Sequence, residues 1–257
     1  MLSHPPPTAT ILDVKIHAVT NDQTLALIEQ FIASRRPHQL TTTNPEFVIE
    51  AQHDEEFRRI INNAALSLPD GIGLLKAAHF LGTTPLPERV AGSDLVGRLA
   101  ELSHRQGYRI FFLGARPGVA KQAIANLKRR YPHLQVAGCY AGSPAPEENE
   151  ALIQRILPTK PDVLLVAYGH PRQDKWIARN LERLQIPVCI GVGGSFDFLA
   201  GTSKRAPRWL QQLHLEWLHR LITQPWRWRR IWNAVPYFSW LVLRSKLRSA
   251  TVPKDRF

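Results

Sequence analysis

The strongest constraint on the fold is an alternation of apolar and amphipathic segments in the second half of the sequence. The runs Tyr108–Leu113, Asp162–Tyr168 and Pro187–Val192 are almost continuously apolar. Between them, Val119–Arg130 and Arg172–Leu184 repeat apolar residues with the period of a helix. Continuously apolar strands are typical of a parallel sheet that is covered on both faces. The sequence therefore predicts an α/β fold with a Rossmann-like, doubly wound, mostly parallel sheet.

Local signals predict further elements. Thr20 and Gln23 have the spacing of a capping box, and Asn44 followed by Pro45 has the composition of a helix start. The other predicted elements are the strands Ile11–Val19, Gln39–Thr43, Ala64–Leu68 and Leu134–Tyr140, and helices that run from Thr20 to Ser34, from Pro45 to Ile61 and from Pro146 to Leu157. Together these elements predict one α/β domain over residues 1–203.

Residues 204–257 differ in composition and are predicted to form a basic helical appendage. They contain twelve of the thirty-three Lys and Arg residues and six of the seven Trp residues. Lys and Arg bind phosphate groups, and Trp prefers a boundary between apolar and wet surroundings. The composition predicts docking onto a polyanion, which could be an anionic membrane surface or a nucleic acid. The alternative is that the aromatic residues complete the core of an ordinary subdomain.

Several protein classes fit the sequence poorly. No window has the roughly 20 apolar residues that span a bilayer, so any membrane contact is predicted to be peripheral. The first ten residues lack the pattern of a secretion signal. Cys139 and Cys189 lie in apolar runs and are predicted to be free, buried thiols. The histidines are scattered and no D-x-D element occurs, so we expect neither a metal site nor a cofactor.

Ligands of open parallel sheets bind beyond the carboxyl ends of the strands, so the turns after the strands are the candidate sites. Asp70, in a Pro-Asp-Gly turn, could act as a general base, although this sequence is also ordinary turn chemistry. Thr42 and Asn44 could orient a substrate through hydrogen bonds, and Asn44 is explained equally well as a helix cap. Arg89 could stabilise a diphosphate, or it could be a solvated loop charge.

The turn between Gly114 and Gly118 precedes a helix N-terminus, where free N–H groups favour phosphate. It has neither the G-x-G-x-x-G order of a dinucleotide site nor the Lys of a P-loop, which disfavours an NAD-linked oxidoreductase. Gln173 and Asp197 also lie in turns at the predicted rim, which is the edge of the sheet formed by the carboxyl ends of the strands. Each could simply be a first-turn helix residue or a cap. The appendage offers Arg220, Arg227 and Arg230 as further diphosphate ligands.

Six segments, in order along the chain, resemble the WecG/TagA/CpsF glycosyltransferases, glycosyltransferase family 26. They are TTTNPEFV at Thr41–Val48, LPDGIGL at Leu68–Leu74, ERVAGSDL at Glu88–Leu95, FFLGARPGVA at Phe111–Ala120, DVLLVAYGHPRQDKWI at Asp162–Ile177 and GVGGSFDFLAGTSKRAPRW at Gly191–Trp209. The resemblance implies metal-independent, inverting transfer of a sugar, often of the N-acetylmannosamine type, from a UDP-sugar. The implied acceptor is a polyprenyl-diphosphate-linked sugar in bacterial cell-surface polysaccharide or teichoic acid synthesis.

The resemblance also implies roles for individual residues. Asp70 matches the catalytic base, and the appendage matches a membrane-targeting region whose basic residues close the active site. The other matching polar positions, implied to bind substrate, are Thr42, Asn44, Arg89, Gln173 and Asp197, with Arg220, Arg227 and Arg230 in the appendage. The expected location is the cytoplasmic face of the bacterial plasma membrane, with peripheral attachment. Whether the chain acts as a monomer or as a homo-oligomer stays open.

One alternative from another class is a non-enzymatic nucleic-acid-binding module that uses the basic appendage. Such a module would bind DNA or RNA in a salt-sensitive manner and would have no affinity for UDP. The polar residues at the predicted rim argue against it, because a pure binding protein does not require a carboxylate beside a phosphate site. We therefore expect no nucleic-acid partner.

Overall fold

The computed structural model describes residues 5–203, residue 228 and residues 232–251. Its centre is a six-stranded sheet in which every neighbouring pair of strands is parallel, in the order β4-β3-β8-β7-β5-β6. The strands are β3 (His38–Thr43), β4 (Leu66–Pro69), β5 (Arg109–Gly114), β6 (Gln135–Tyr140), β7 (Val163–Ala167) and β8 (Val188–Gly191). The predicted α/β class with a Rossmann-like parallel sheet is confirmed.

Helices cover both faces of this sheet. They are α1 (Asn21–Ser34), α2 (Pro45–His53), α3 (Glu55–Asn63), α4 (Ile72–Leu81), α5 (Gly92–Gln106), α6 (Val119–Arg130), α7 (Asn149–Ile156), α8 (Arg172–Leu184), α9 (Ser195–Ala200) and the last described helix, α10 (Phe238–Thr251). One core packs α1, α5, α6 and α9 against the sheet, and a second packs α7 and α8 against the opposite face. Residues 108–192 thus bury their apolar strands on both sides, as the alternation predicts.

The first predicted strand, Ile11–Val19, is wrong as a single strand. The chain forms a hairpin of β1 (Thr8–Ile11) and β2 (Val14–His17), which pair in antiparallel fashion outside the main sheet. Leu12 and Asp13 form the turn with φ angles of 48° and 63°. A two-residue turn with both φ angles positive reverses the chain without splaying the strands. In the sequence, Leu12, Val14 and Ile16 still alternate as apolar residues, although burial passes from Ile11 to Val14 across the turn, so the pattern looks like one strand.

The predicted helix from Pro45 to Ile61 is two helices, α2 and α3. Asp54 separates them, and its side chain accepts a hydrogen bond of 2.9 Å from the Phe57 amide at the start of α3. The break redirects the chain, so that Phe47 and Phe57 still pack against each other with ring centroids 5.2 Å apart. The apolar residues of the single predicted helix therefore still form one buried face, although they lie on two helices and not on one continuous helix.

The third prediction that needs correction is the helix Pro146–Leu157. Its α-helical part is shorter and is flanked by 3₁₀ turns at Pro146–Glu148 and Leu157–Thr159. By contrast, α6 and α8 have the predicted bounds. The Thr20–Gln23 capping box is also confirmed, with both of its reciprocal hydrogen bonds formed. Cys189 is buried and Cys139 is partly buried, and both thiols are free.

The C-terminal helix α10 packs against the domain. Phe238 and Val242 are buried in a third core that also contains the β1–β2 hairpin and residues of α2, α3 and α4. A π-helical turn, Asn233–Tyr237, leads directly into α10. The predicted boundary between residues 203 and 204 lies outside the described residues and stays a prediction. Within the described part of the chain, none of the helices has the length and apolarity to cross a membrane.

Candidate active site

The β4–α4 turn places Asp70 at the carboxyl edge of the sheet. The Asp70 amide donates a hydrogen bond of 2.7 Å to the carbonyl of Thr43, which ties this turn to the end of β3. The Asp70 carboxylate accepts a hydrogen bond of 3.0 Å from the Gly92 amide at the start of α5. Backbone amides at a helix N-terminus stabilise a negative charge. The Asp70 side chain is 26% exposed, so a substrate can reach it.

Gly92 packs closely against the ends of the neighbouring strands where α5 approaches Asp70. A β-carbon at this position would lie 3.2 Å from the Thr42 methyl group, 3.4 Å from Ser195 Oγ and 3.5 Å from Asp70 Oδ2. Three strand ends, those of β3, β4 and β8, therefore converge around a single glycine. Reasoning from sequence missed both Gly92 and Ser195 as site residues. The only available signal was their place in the Ala-Gly-Ser-Asp and Gly-Gly-Ser-Phe segments beside predicted site residues.

Three other predicted residues surround this point. Arg89 Nε lies 3.9 Å from Asp70 Oδ1, and its side chain is 30% exposed. Thr42 donates a hydrogen bond of 2.8 Å to the carbonyl of Gly191, which links the ends of β3 and β8. Asn44 caps α2 by accepting a hydrogen bond of 3.1 Å from the Phe47 amide, and it also lines the cleft beside Asp70. The capping and cleft-lining interpretations of Asn44 are therefore compatible.

Gln173 lies beneath the rim rather than on it. The residue is 1% exposed, and its Oε1 accepts hydrogen bonds from the amides of Gly169 and Gly193 at 3.1 and 3.0 Å. These bonds join the turns that follow β7 and β8. The structure thus gives Gln173 a role in positioning two backbone segments, while direct contact with a substrate stays a prediction.

The predicted phosphate turn is at some distance from Asp70. Gly118 precedes α6 with a φ angle of 85°, and a β-carbon on Gly114 would lie 2.8 Å from the backbone of Ala167. This turn follows β5, which is four strand positions from β4, or about 19 Å at ordinary strand spacing. Arg116 and Asp197 connect the two regions, since their side chains form a salt bridge of 3.3 Å. The site is therefore elongated along the strand ends.

The cleft that contains Asp70 has a volume of about 620 Å³. Asn44, Asp70 and Arg89 form its polar end, and α4 and α10 form its walls. Arg220, Arg227 and Arg230, predicted to contribute from the appendage, lie outside the described residues. Among the residues that the structure does describe, no three His, Cys, Asp or Glu side chains are grouped so that they could hold a metal ion. Metal independence of the reaction stays a prediction.

The parallel sheet, with a carboxylate on a helix N-terminus beside an open cleft, defines the class of α/β enzymes that act at the carboxyl edge of a sheet. A family model described as "Glycosyl transferase WecG/TagA/CpsF family" matches residues 9–252. The chain belongs to this family and is a glycosyltransferase. The resemblance of the six sequence segments is thus confirmed, and the comparisons do not support the nucleic-acid-binding alternative.

Relatives with an assigned activity cover most of the chain. A Bacillus spizizenii protein is 35% identical over 82% of this chain and 80% of its own length, and a Bacillus subtilis protein is 34% identical over 82% and 81%. A Staphylococcus aureus protein is 32% identical over 92% of both chains. Each of these relatives is named N-acetylglucosaminyldiphosphoundecaprenol N-acetyl-beta-D-mannosaminyltransferase.

Proposed function

We propose that this glycosyltransferase moves N-acetylmannosamine from a UDP-sugar to a hydroxyl group of an N-acetylglucosamine that is linked through diphosphate to a polyprenol. The names of the relatives support the transferred sugar and the acceptor. The observation that carries the proposal is the Asp70 carboxylate, which is held by Gly92 at the polar end of a cleft large enough for a lipid-linked sugar.

In the proposed reaction, Asp70 removes the proton from the acceptor hydroxyl as its oxygen attacks the anomeric carbon of the donor. The new C–O bond forms while the bond from the anomeric carbon to the UDP oxygen breaks, and UDP leaves with the electron pair. A single displacement of this kind inverts the anomeric configuration. Gly92 fixes the orientation of the carboxylate through its amide. Arg89, which lies beside Asp70, is placed to stabilise the charge on the departing diphosphate.

The elongated site suits a nucleotide sugar that lies along the strand ends. With its sugar at Asp70, the donor would direct its nucleoside towards Asp197 and the Gly114–Gly118 turn, past the backbone amides that Gln173 holds in place. The phosphate bonded to the reacting sugar must be adjacent to Asp70, whereas the Gly118 turn follows β5, which is about 19 Å from β4 at ordinary strand spacing. We therefore assign the Gly118 turn to the far end of the nucleotide.

Peripheral attachment to the cytoplasmic face of a bacterial membrane is part of the proposal. Trp232, Trp240 and Leu247 are among the most exposed large apolar residues, at 60%, 49% and 60%. The same helical segment carries the exposed basic residues Arg244 and Lys246. Aromatic side chains beside basic residues bind the interface of an anionic bilayer. Deletion of residues 204–257 is expected to abolish co-sedimentation with anionic liposomes, and a truncated protein that still co-sediments would contradict the attachment.

The function is tested by incubating the full chain with UDP-sugars and a short-chain lipid-diphosphate N-acetylglucosamine, with and without a metal chelator. We expect UDP release and a mass increase of the acceptor with UDP-N-acetylmannosamine, unchanged by the chelator. Release of UDP without a glycosylated lipid would contradict the assigned acceptor. Dependence of turnover on added metal would contradict the metal-independent mechanism.

A further inference from the structure

The cleft beside Asp70 continues away from the strand ends as a groove between two helices. On α4 its lining residues are Ile72, Gly73, Lys76, Ala77 and Phe80, and on the π-helical turn and α10 they are Ala234, Val235, Phe238, Ser239, Val242 and Leu243. On each helix these positions recur at the spacing of a single face. Ile72 and Phe80 are eight residues apart, so the α4 wall is about 12 Å long.

The chemistry of this groove changes along its length. Asp70 and Arg89 lie at the end nearest the sheet, and the exposed Lys76 lies midway along α4. At the other end Phe80 and Leu243 are 46% and 47% exposed. A ligand that matches this order has a polar group at the carboxylate, negative charge near the lysine and an apolar chain at the end farthest from the sheet.

We propose that the groove between α4 and α10 binds the diphosphate and the first isoprenoid units of the acceptor, with Lys76 at the diphosphate and Phe80 and Leu243 against the chain. This inference rests on the proposed function, because the acceptor sugar must then reach Asp70. Charge complementarity and continuity with the carboxylate select this occupant. A hydrocarbon chain without an anionic head would leave Lys76 unused, and a free sugar diphosphate would leave the apolar end unfilled.

The far end of the groove is built in a way that suits this ligand. Lys246 donates a hydrogen bond of 2.7 Å to the carbonyl of Phe80, and its ammonium lies 5.5 Å from the centroid of the Phe80 ring. This contact joins α10 to the last turn of α4. On α10, Leu243 and Leu247 are exposed. The apolar end therefore opens beside the surface that we propose to contact the membrane, and a polyprenyl chain could pass directly into the bilayer.

The test measures binding of farnesyl diphosphate and inorganic diphosphate to the full chain by calorimetry. Wild-type protein is expected to bind farnesyl diphosphate at least about tenfold more tightly, because only this ligand buries apolar surface. Phe80→Ser should weaken farnesyl diphosphate binding about five- to tenfold and leave inorganic diphosphate unchanged. Lys76→Gln should weaken the binding of both ligands. The matched controls are Leu157→Ser, at a residue that is 40% exposed elsewhere, and Lys128→Gln on α6.

Turnover separates this inference from the proposed function. With a prenyl-linked acceptor, both groove variants should raise the acceptor KM and leave kcat and the donor KM unchanged. A wild-type chain that transfers sugar while both variants bind farnesyl diphosphate normally would overturn the groove assignment. Equal loss of affinity in the control variants would overturn it as well. A chain that shows the expected binding pattern but transfers no sugar would instead refute the proposed function and leave the groove assignment supported.

Discussion

Asp70 and Asp174 lie near the carboxyl ends of two strands of the same sheet, yet their surroundings differ sharply. The Asp70 side chain is 26% exposed and accepts a hydrogen bond from the start of α5. Asp174, in the first turn of α8, is fully buried, and neither of its carboxylate oxygens has a well-aligned hydrogen-bond donor among the described residues, although the Gln173 side chain lies close. Burial raises the pKa of the Asp174 carboxyl to about 7, against a smaller lowering effect of the neighbouring Gln173 side chain.

The comparison shows that a place after a parallel strand does not by itself make a carboxylate useful for proton transfer. A base must be ionised and must be reached by the hydroxyl that it deprotonates. Asp70 combines exposure to the cleft with a donor that stabilises its charge. Asp174 lacks access to solvent, and a β-carbon on Gly191 would lie 2.6 Å from its Oδ1. We therefore assign proton transfer to Asp70 and a structural role to Asp174.

The largest expected effect follows from replacing the exposed member of the pair. Asp70→Asn should lower kcat about 10²- to 10⁴-fold, because the amide cannot accept the proton of the acceptor hydroxyl. The thermal midpoint should remain close to that of the wild type, since the side chain keeps its shape. Asp22→Asn, at a side chain that is 91% exposed, is the matched control and should retain full turnover. An Asp70→Asn protein with normal fold and normal kcat would remove Asp70 from the mechanism.

A smaller effect is expected at the contact that distinguishes Asp70 from Asp174. Gly92→Ala places a methyl group 3.2 Å from the Thr42 methyl group, which is tighter than ordinary contact, and 3.5 Å from Asp70 Oδ2. Relief of the Thr42 contact should move the start of α5, whose amide holds the Asp70 carboxylate. Displacement of a reacting group by a fraction of an ångström should lower kcat roughly ten- to a hundredfold.

Gly97→Ala is the control for Gly92→Ala because it lies in the same helix and has no atom within 4 Å of the added carbon. It should raise the free energy of unfolding by up to about 1 kcal/mol through helix propensity and leave kcat unchanged. Steady-state kinetics and urea denaturation of both variants test these expectations. If Gly92→Ala turned over as fast as Gly97→Ala, the close approach of α5 would be irrelevant to catalysis.

The smallest effect on turnover is expected at the buried carboxyl, where the change should instead alter the pH dependence of stability. The folded protein keeps the Asp174 proton up to a pKa of about 7, whereas the unfolded chain loses it near the ordinary value of 3.8. Its contribution to stability is therefore complete below about pH 4 and is lost as pH rises towards about 7. Over that interval the free energy of unfolding should fall by at most about 1.4 kcal/mol per pH unit.

Asp174→Asn should remove this pH dependence, because the amide is neutral at every pH and has nearly the same shape as the protonated acid. Urea denaturation of the wild type and the variant at several values between about pH 5 and about pH 8 provides the measurement. The two proteins should differ most at the alkaline end, where the variant should be the more stable. Parallel pH profiles for the two proteins would show that Asp174 titrates normally and would weaken the contrast with Asp70.

Elements with strong local signals could be predicted from the sequence. The bounds of α6 and α8, the Thr20–Gln23 capping box and the Asn44 cap of α2 all depend on residues within one or two turns of each other. Where a local pattern was ambiguous, the prediction failed. Apolar residues alternate in the sequence through Leu12, Val14 and Ile16, and the apolar stripe continues across the break at Asp54, so neither interruption was visible in the hydrophobic pattern.

The candidate site was only partly predictable for the same reason. Asp70, Thr42 and Asn44 were found because polar residues at or just after the ends of predicted strands must lie at one edge of a parallel sheet. The buried position of Gln173 depends on β7 and β8 being neighbours, which no local pattern encodes. Gly92 and Ser195 were missed because each matters only through residues that are distant in sequence and meet at that point.

The sequence by itself determined the α/β class, the positions of most strands and helices and the family, because periodic burial and short polar motifs are local properties. The tertiary structure decided that β3 lies between β4 and β8, that α5 begins against Asp70 and that α10 forms a groove with α4. These arrangements depend on which apolar faces cover each other across long separations in the chain. Burial can be read from a sequence one element at a time, whereas the pairing of buried faces is settled only when all of them pack together.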